Sequence, residues 1–438
     1  MEENLKLTNN KKVRREKSMK KWYNVVAISM VAVIVLGIFA IACAQKPAEP
    51  QATGPITINI GEPVALSGSA APWGQIPTPF REAWFEVFNK EGFKIGDQTY
   101  NIKLIQVDDQ NTAEGGAAAA KQLIFGDNCK FLAGHWTWNF SAIASVTNPA
   151  KVIFVTRTGA PDALPASWNG AYDAKTMPYV VFGTPSQDEF TYNCFALVDA
   201  FPNYKKLGLL DSTVSKGGPG WVVLQDVLNK AGVRWHSEWF TPGTTDFAPI
   251  ITRFAEEDCD IVFVAGWIGE YMAFAKQRWE MGYKDMKVAC SGPFVSLGMY
   301  KAVVGADAFE GAIGAYYDNS QFKKTEVNPK YIAQCQEALT IAAEKTGKPY
   351  EYTGEIAWLP SHVLILVQAM QKAGTVDDTD AIMKAIRGGT FDTTIGKWTM
   401  SGAETYGSPV VFGTPACLCV IQDGKEVYLS EHPMEPLP

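Results

Sequence analysis

The sequence predicts an α/β protein made of two doubly wound, parallel-sheet lobes. Three observations carry this. Short apolar runs alternate with helical runs from residue 56 onward, the alternation comes as two series separated near Pro185, and 438 residues at 47% apolar content can bury two substantial cores.

In the first series, residues 56–61 and 102–107, where apolar and polar residues are interleaved, read as strands, and residues 80–90, closed near Gly92, carry helical spacing between them. A helical run at 117–125, a strand at 131–134, a helix at 141–150 and a strand at 152–156 complete it. The second series starts after Pro185: helix 189–201, strand 206–211, helix 221–231 stopped by Gly232, strand 234–240 and helix 247–257. Strand 261–265, helix 271–281 and strand 287–290 extend it, and two helices, 360–374 and 380–387, lie near the end.

The first 42 residues differ from the rest. Eight Lys and Arg face three Glu there, followed by an uncharged apolar run over 25–42, the order of an export signal. The run closes on Ala40-Ile41-Ala42-Cys43, which resembles a lipoprotein cleavage box with lipid placed on Cys43; an uncleaved membrane anchor or plain secretion are the alternatives. Met19, heading Met-Lys-Lys-Trp-Tyr, looks a more natural start than Met1. Residues 43–55 are Pro/Ala-rich and suit a mobile tether. All these readings put the body outside the cytoplasm, anchored to a membrane in the first two.

The formal net charge is −7, and removing the basic leader leaves the body still more acidic, which argues against nucleic acid as a partner. Besides Cys43 there are seven cysteines, an odd number that leaves at least one free thiol. Cys417 and Cys419 suit a buried strand, and Cys259 with Cys290 is a possible disulfide. The four histidines show no ligand spacing and no Cys-x-x-Cys occurs, so neither a metal nor a cofactor is expected. Gly217-Gly-Pro-Gly220 lacks the Lys-Ser/Thr ending of a phosphate loop, and no Gly-x-Ser-x-Gly elbow is present. Asp108-Asp109 could form an acid/base pair, although at a strand end such residues more often bond neighbouring loops. No enzyme is indicated.

Ligands of open α/β sheets sit beyond the carboxyl ends of the strands. The loops that count are therefore 64–74, 134–141, 157–161, 213–220, 266–270 and 291–296. In order, Val64-Ala-Leu-Ser-Gly-Ser-Ala-Ala-Pro-Trp-Gly74, Val107-Asp-Asp-Gln-Asn111, Ala133-Gly-His135 and Ala160-Pro161 resemble the loops of one family. The helices 361–374 and 380–387 and the turn Phe391-Asp-Thr-Thr-Ile-Gly396 resemble its C-terminal part. The family is that of the periplasmic solute-binding proteins of the branched-chain amino acid (leucine/isoleucine/valine) type, receptors of ATP-binding-cassette importers. The resemblance spans about residues 56–430.

It implies the type I periplasmic fold, two lobes joined by three crossovers, with residues 56–182 and 318–405 in one lobe and 183–317 and 406–438 in the other. It also implies a small-molecule solute bound between hinged lobes, permease and ATPase subunits as partners, and a monomer. The matched positions depart from the family where it grips an amino acid. Trp138 stands where a serine would receive the carboxylate, followed by Asn139, and the next loop carries Arg157, Thr158 and Gly159. Gly217 replaces a tyrosine, Trp267 follows Gly266, and Phe294 stands in place of the acid that would hold the ammonium.

An ammonium closed in without a counter-charge costs several kcal/mol. Trp73, Trp136, Trp138, Trp267 and Phe294 offer flat apolar faces instead, Arg157 a carboxylate clamp, and the amides at Trp138 and Asn139 an anion site at a helix start. An aromatic or hydrophobic carboxylate is expected. Quaternary ammonium solutes, held by cation–π attraction, and modified amino acids stay open as alternatives, as does a sensory role on the same fold. Trp84, Trp279 and Trp358, on or beside helices, are expected to be packing residues.

Overall fold

The computed structural model describes residues 54–67, 71–134, 139–159, 174–184, 186–213, 216–217, 219–265, 268–290, 301, 303–316, 327–350, 354–412 and 416–432. The export segment, Cys43 and most of the tether lie outside them.

The chain runs β1 (Ile56–Val64), α1 (Pro72–Gln75), α2 (Thr78–Phe88), β2 (Phe93–Ile95), β3 (Gln98–Asp108) and α3 (Ala113–Lys121), the last extended by a π-helical turn, Gln122–Gly126. It continues through β4 (Phe131–Gly134), α4 (Phe140–Thr147), β5 (Ile153–Gly159), β6 (Val180–Thr184) and α5 (Ser186–Ala200). The second series is β7 (Leu207–Ser212), α6 (Pro219–Lys230), β8 (Trp235–Phe240), α7 (Ala248–Glu256), β9 (Ile261–Ala265), α8 (Ile268–Glu280), β10 (Lys287–Cys290), α9 (Ala306–Phe309) and β11 (Ile313–Tyr316). Then come α10 (Pro329–Thr346), α11 (Gly354–Ala373), α12 (Thr379–Ile386), β12 (Thr390–Thr393), β13 (Gly396–Ser401), α13 (Ala403–Tyr406), β14 (Val411–Phe412), β15 (Ala416–Gln422) and β16 (Lys425–His432).

Two sheets result, ordered β12-β13-β14-β6-β5-β4-β1-β3-β2 and β16-β15-β11-β10-β9-β7-β8. Their centres are parallel and repeat one pattern: β3-β1-β4-β5-β6 in the first and β8-β7-β9-β10-β11 in the second. The chain passes between the sheets after Thr184, after Tyr316 and after Phe412. The strand Val411–Phe412 pairs with β6 and β13, so it belongs to the first sheet although it follows residue 406.

The central strands are apolar throughout because both faces are covered, as parallel sheets require. In β9, Val262 and Val264 enter a core with Phe247, Ile251 and Phe274, while Ile261 and Phe263 enter another with Leu197, Leu224 and Leu228. β15 alternates likewise, Cys417, Cys419 and Ile421 on the first of these faces and Leu418 and Val420 on the second. The seven cysteines of the body are buried and unbridged. Cys259 and Cys290 form no disulfide because they lie at opposite ends of paired strands: Cys290 is level with Val264, while Cys259 precedes β9. That offset, on the order of 10 Å or more at the usual strand rise, exceeds the reach of a disulfide.

Trp84 and Trp358 are fully buried, Trp84 stacked on Phe88 at 5.1 Å and Trp358 tilted on Trp398 at 5.2 Å; Trp279 packs on the second core. All three are packing residues, as expected. Helix α10, absent from the sequence expectation, starts at Pro329 behind an Asn328 cap that accepts from the Lys330 N–H at 3.0 Å, and stops at Gly347 with φ 67°. It lies along α2, with ion pairs Lys330–Glu91 (2.7 Å), Lys90–Glu337 and Lys345–Glu86. Helix α11 begins before Pro360 and carries it inside, since Trp358 and Leu359 are buried in the first core. Helix α12 is capped by Asp378, whose carboxylate accepts from the Ala381 N–H at 3.0 Å. Asp378→Ala is expected to cost about 1 kcal/mol in urea unfolding.

Candidate functional site

In a sheet ordered like these, neighbouring connections leave in opposite directions at one point, and the crevice beyond the strand ends there takes the ligand. The switch points are β1/β4 in the first sheet and β7/β9 in the second. Beyond β1 lies the loop that leads to α1 and Trp73, beyond β4 residues 135–138 and Asn139, beyond β7 Gly217, and beyond β9 Trp267. Arg157, Thr158 and Gly159 close β5. Trp136, Trp138, Trp267 and Phe294 lie outside the described residues, as do the side chains of Trp73, Arg157 and Thr158. Gly217 is exposed, with φ +73°, a conformation that suits glycine. Near it Trp221 and Trp239 meet edge to face at 4.6 Å, with Lys216 5.5 Å from the Trp239 ring centre.

The first-sheet loops are held from below by two adjacent acids at the end of β3. Asp108 Oδ1 accepts from the backbone N–H groups of Leu66 (2.9 Å), Ser67 (3.3 Å) and Gln110 (2.9 Å). Burial pushes its carboxyl up, but the Ser67 side chain and these amides outweigh that and hold it below the usual range. Asp109 Oδ1 accepts from the Asn111 N–H at 2.8 Å, closing a turn in which Gln110 and Asn111 both take φ 54°. Two successive non-glycine residues in that region are costly, and the Asx turn offsets part of the cost. Asp108-Asp109 is thus a loop organiser.

Asn139 caps α4 without a side-chain bond to its own helix. The side chain turns inward instead: Asn139 is 6% exposed and Nδ2 donates to Thr112 O at 2.9 Å. Helix α3 fits against this only through glycines. A Cβ on Gly116 would stand 2.5 Å from Asn139 Nδ2, and one on Gly115 2.1 Å from Asp109 O. On the other side, Gly74 leaves room for Ala65 O, while Gln75 Nε2 donates to Leu66 O at 2.7 Å and Thr78 Oγ1 to Gly74 O at 2.8 Å.

Beneath these loops Arg81 Nη1 meets Glu62 Oε1 at 2.6 Å, both side chains fully buried. Gln106 Nε2 donates to Glu62 Oε2 at 2.6 Å and to Thr78 Oγ1 at 3.2 Å. Burial raises the Glu62 carboxyl; Arg81 and then Gln106 oppose it, while Asp109 adds to the rise. Glu62 and Arg81 were not singled out from the sequence, yet a signal existed: Glu62 is the one charge in β1, and Arg81 is the one charge on the buried face of α2, whose other charges, Glu82 and Glu86, are exposed.

A separate groove of about 480 Å³, lined by Ala117, Lys121, Phe125, Val146 and Pro149, lies at the C-terminal ends of α3 and α4, away from the switch point. Among the described residues no cluster of His, Cys, Asp and Glu is arranged to hold a metal, and no helix is long and apolar enough to cross a membrane.

Two parallel-centred sheets, each with a switch point, define the type I periplasmic binding fold. The family model described as "Periplasmic binding protein" matches residues 57–410, and the chain belongs to that family; its relatives include proteins of the branched-chain amino acid type. The Leu/Ile/Val-binding protein homolog 3 of Brucella melitensis is 26% identical over 357 residues, 80% of this chain and 89% of that one. Among solved structures, a solute-binding protein of an ABC transporter from R. palustris in complex with 4-hydroxybenzoate has a TM-score of 0.65 at 19% identity, covering 87% of this chain and 98% of the other. The LivJ substrate-binding protein of Streptococcus pneumoniae, in complex with isoleucine, has a TM-score of 0.67 at 18% identity, covering 87% and 100%. By its family the protein is an extracytoplasmic solute-binding protein, not an enzyme.

Proposed function

We propose that the solute is an aromatic or hydrophobic carboxylate, bound between the loops of the two switch points and delivered to an importer. The carrying observation is that Trp73, in the short helix α1 after β1, and Trp136, Trp138 and Trp267, which follow β4 and β9 in the sequence, all come after strands that flank the switch points, whereas the position for an ammonium-gripping acid is Phe294. Flat rings favour an aromatic or apolar body, and a missing counter-charge disfavours a bare ammonium. The first amides of α4, with Asn139 and Trp138, receive the carboxylate, since a helix start has donors without intrahelical partners. Arg157 adds a charge-assisted clamp, Thr158 and Gly159 line the same side, and Gly217 leaves volume on the other. Solved relatives of this fold in complex with 4-hydroxybenzoate, 3,4-dihydroxybenzoic acid and benzoate support the class.

The lobes are 56–182 with 318–405 and 183–317 with 406–438, strand Val411–Phe412 adding to the first sheet. Residues 1–42 serve export, Cys43 carries lipid, 43–55 form the tether, and the receptor acts as a monomer. Thermal shift against benzoates, aliphatic acids, amino acids and betaines tests the class, because a bound ligand raises the melting point. Benzoates should give the largest rise; a response confined to amino acids or betaines overturns the proposal. Trp138→Ala should weaken benzoate binding by about tenfold or more, read by tryptophan fluorescence. Arg157→Ala should cost more with a carboxylate than with its neutral amide, and equal losses would remove Arg157 from the site.

A further inference from the structure

The floor of the first-sheet site holds a carboxyl that loop bracing does not fully use. Asp109 is entirely buried, and among the described residues its Oδ2 has no hydrogen-bond donor. Nor has Asn139 Oδ1, buried beside it, a donor there. The groups facing Asp109 are mostly of its own sign. From β1 comes Glu62, already engaged by Arg81 of α2, and on β3 itself Asp108 is its neighbour. From α4 comes the Asn139 amide, while α3 approaches through Gly115 and Gly116 and keeps Glu114 in solvent. Burial pushes the Asp109 carboxyl up and Asp108 adds to this, whereas the Asn111 N–H and the Asn139 amide oppose it only in part.

We propose that Asp109 is a positioning residue for the solute: through Asn139 it sets the start of α4, and it takes up a proton when a carboxylate binds at that start. The proposal rests on the carboxylate class argued above. A carboxylate on the first amides of α4 brings one more negative charge toward an acid already crowded by two others, so the protonated form gains. The proton comes from bulk water to Asp109 Oδ2, and no other bond changes. It also supplies a donor in a cluster whose described acceptors, Asp109 Oδ2 and Asn139 Oδ1, both lack one.

The direction of the linkage follows. The complex holds more protons than the free protein, so affinity is greatest below the pH at which free Asp109 ionises. It falls as pH rises through the window up to the value in the complex, by at most about tenfold per pH unit for one proton.

The test is calorimetry of benzoate binding to the wild type and to Asp109→Asn, at about pH 6 and about pH 8, in phosphate and in Tris, whose ionisation heats differ. The wild type should show proton uptake as a buffer-dependent heat and should bind more tightly at the lower pH. Asp109→Asn should still bind, with both effects lost. Benzoate binding by the wild type without proton uptake overturns the proposal alone, whether or not the variant folds, and so does uptake that persists in Asp109→Asn. Binding of betaines or amino acids with no benzoate binding overturns the carboxylate class and this proposal with it.

Discussion

Arg81→Met should destabilise the protein by about 3–5 kcal/mol at neutral pH, the cost of stranding a buried charge whose partner is removed. Arg81 and Glu62 are both fully buried at 2.6 Å, and the remaining bond from Gln106 is too little to hold Glu62 ionised. The loss should depend on pH in a defined direction. An acid whose folded-state value is raised stabilises fully below its unfolded value, and that contribution disappears as pH rises through the folded one. Glu62 is raised in the native protein, and losing Arg81 removes the largest opposing influence, so the variant should decline further than the wild type between about pH 5 and about pH 7.5. Urea unfolding at both values measures this; an equal deficit at each would mean that Glu62 is not the source. Glu62→Gln combined with Arg81→Met should recover part of the loss, because replacing both members of a buried pair is far milder than removing one.

Gly74→Ala should reduce benzoate affinity by about tenfold or more, about 1.4 kcal/mol, with a smaller effect on global stability. The added carbon would stand 2.0 Å from Ala65 O, a backbone atom, and 2.8 Å from Val64 Cγ2. No rotamer relieves a backbone clash, so α1 or the loop after β1 must move, and with it the bonds from Gln75 and Thr78 that tie them together. The parallel sheet beneath need not follow. Fluorescence titration and thermal unfolding of the variant check this, and wild-type affinity with an unchanged melting point would place α1 outside the site.

How much of this was legible in the sequence depends on the range of the interaction involved. Strands β4, β9 and β10 were placed to the residue, because an apolar run bounded by turns has no other good use in a chain of this kind. The same logic failed where a start signal misled: Pro360 reads as a first helical residue, yet α11 begins at Gly354. The hairpin β15–β16 had a local sign, Asp423-Gly424, both at positive φ in the structure, which the alternating pattern of the body had overshadowed. Asn139 illustrates the limit at the site. Its place at the start of α4 was readable, but the inward turn of its side chain to Thr112 O depends on the absence of a Cβ at Gly116, a contact made only in three dimensions. Glu62 and Arg81 belong to the same class, meeting only once α2 lies across the end of β1.

The buried thiols bear on how this chain must reach its working state. Burial pushes Cys129 and Cys259 up to about 12 and Cys194 higher still, so in the native protein these sulfurs are neutral and poor nucleophiles. An unfolded chain has no such protection, and thiols that meet an oxidant before the cores close can mispair. Under oxidising conditions collapse therefore competes with oxidation, and a thiol-alkylating dye directed at these buried sulfurs in the folded receptor would count the molecules that have opened.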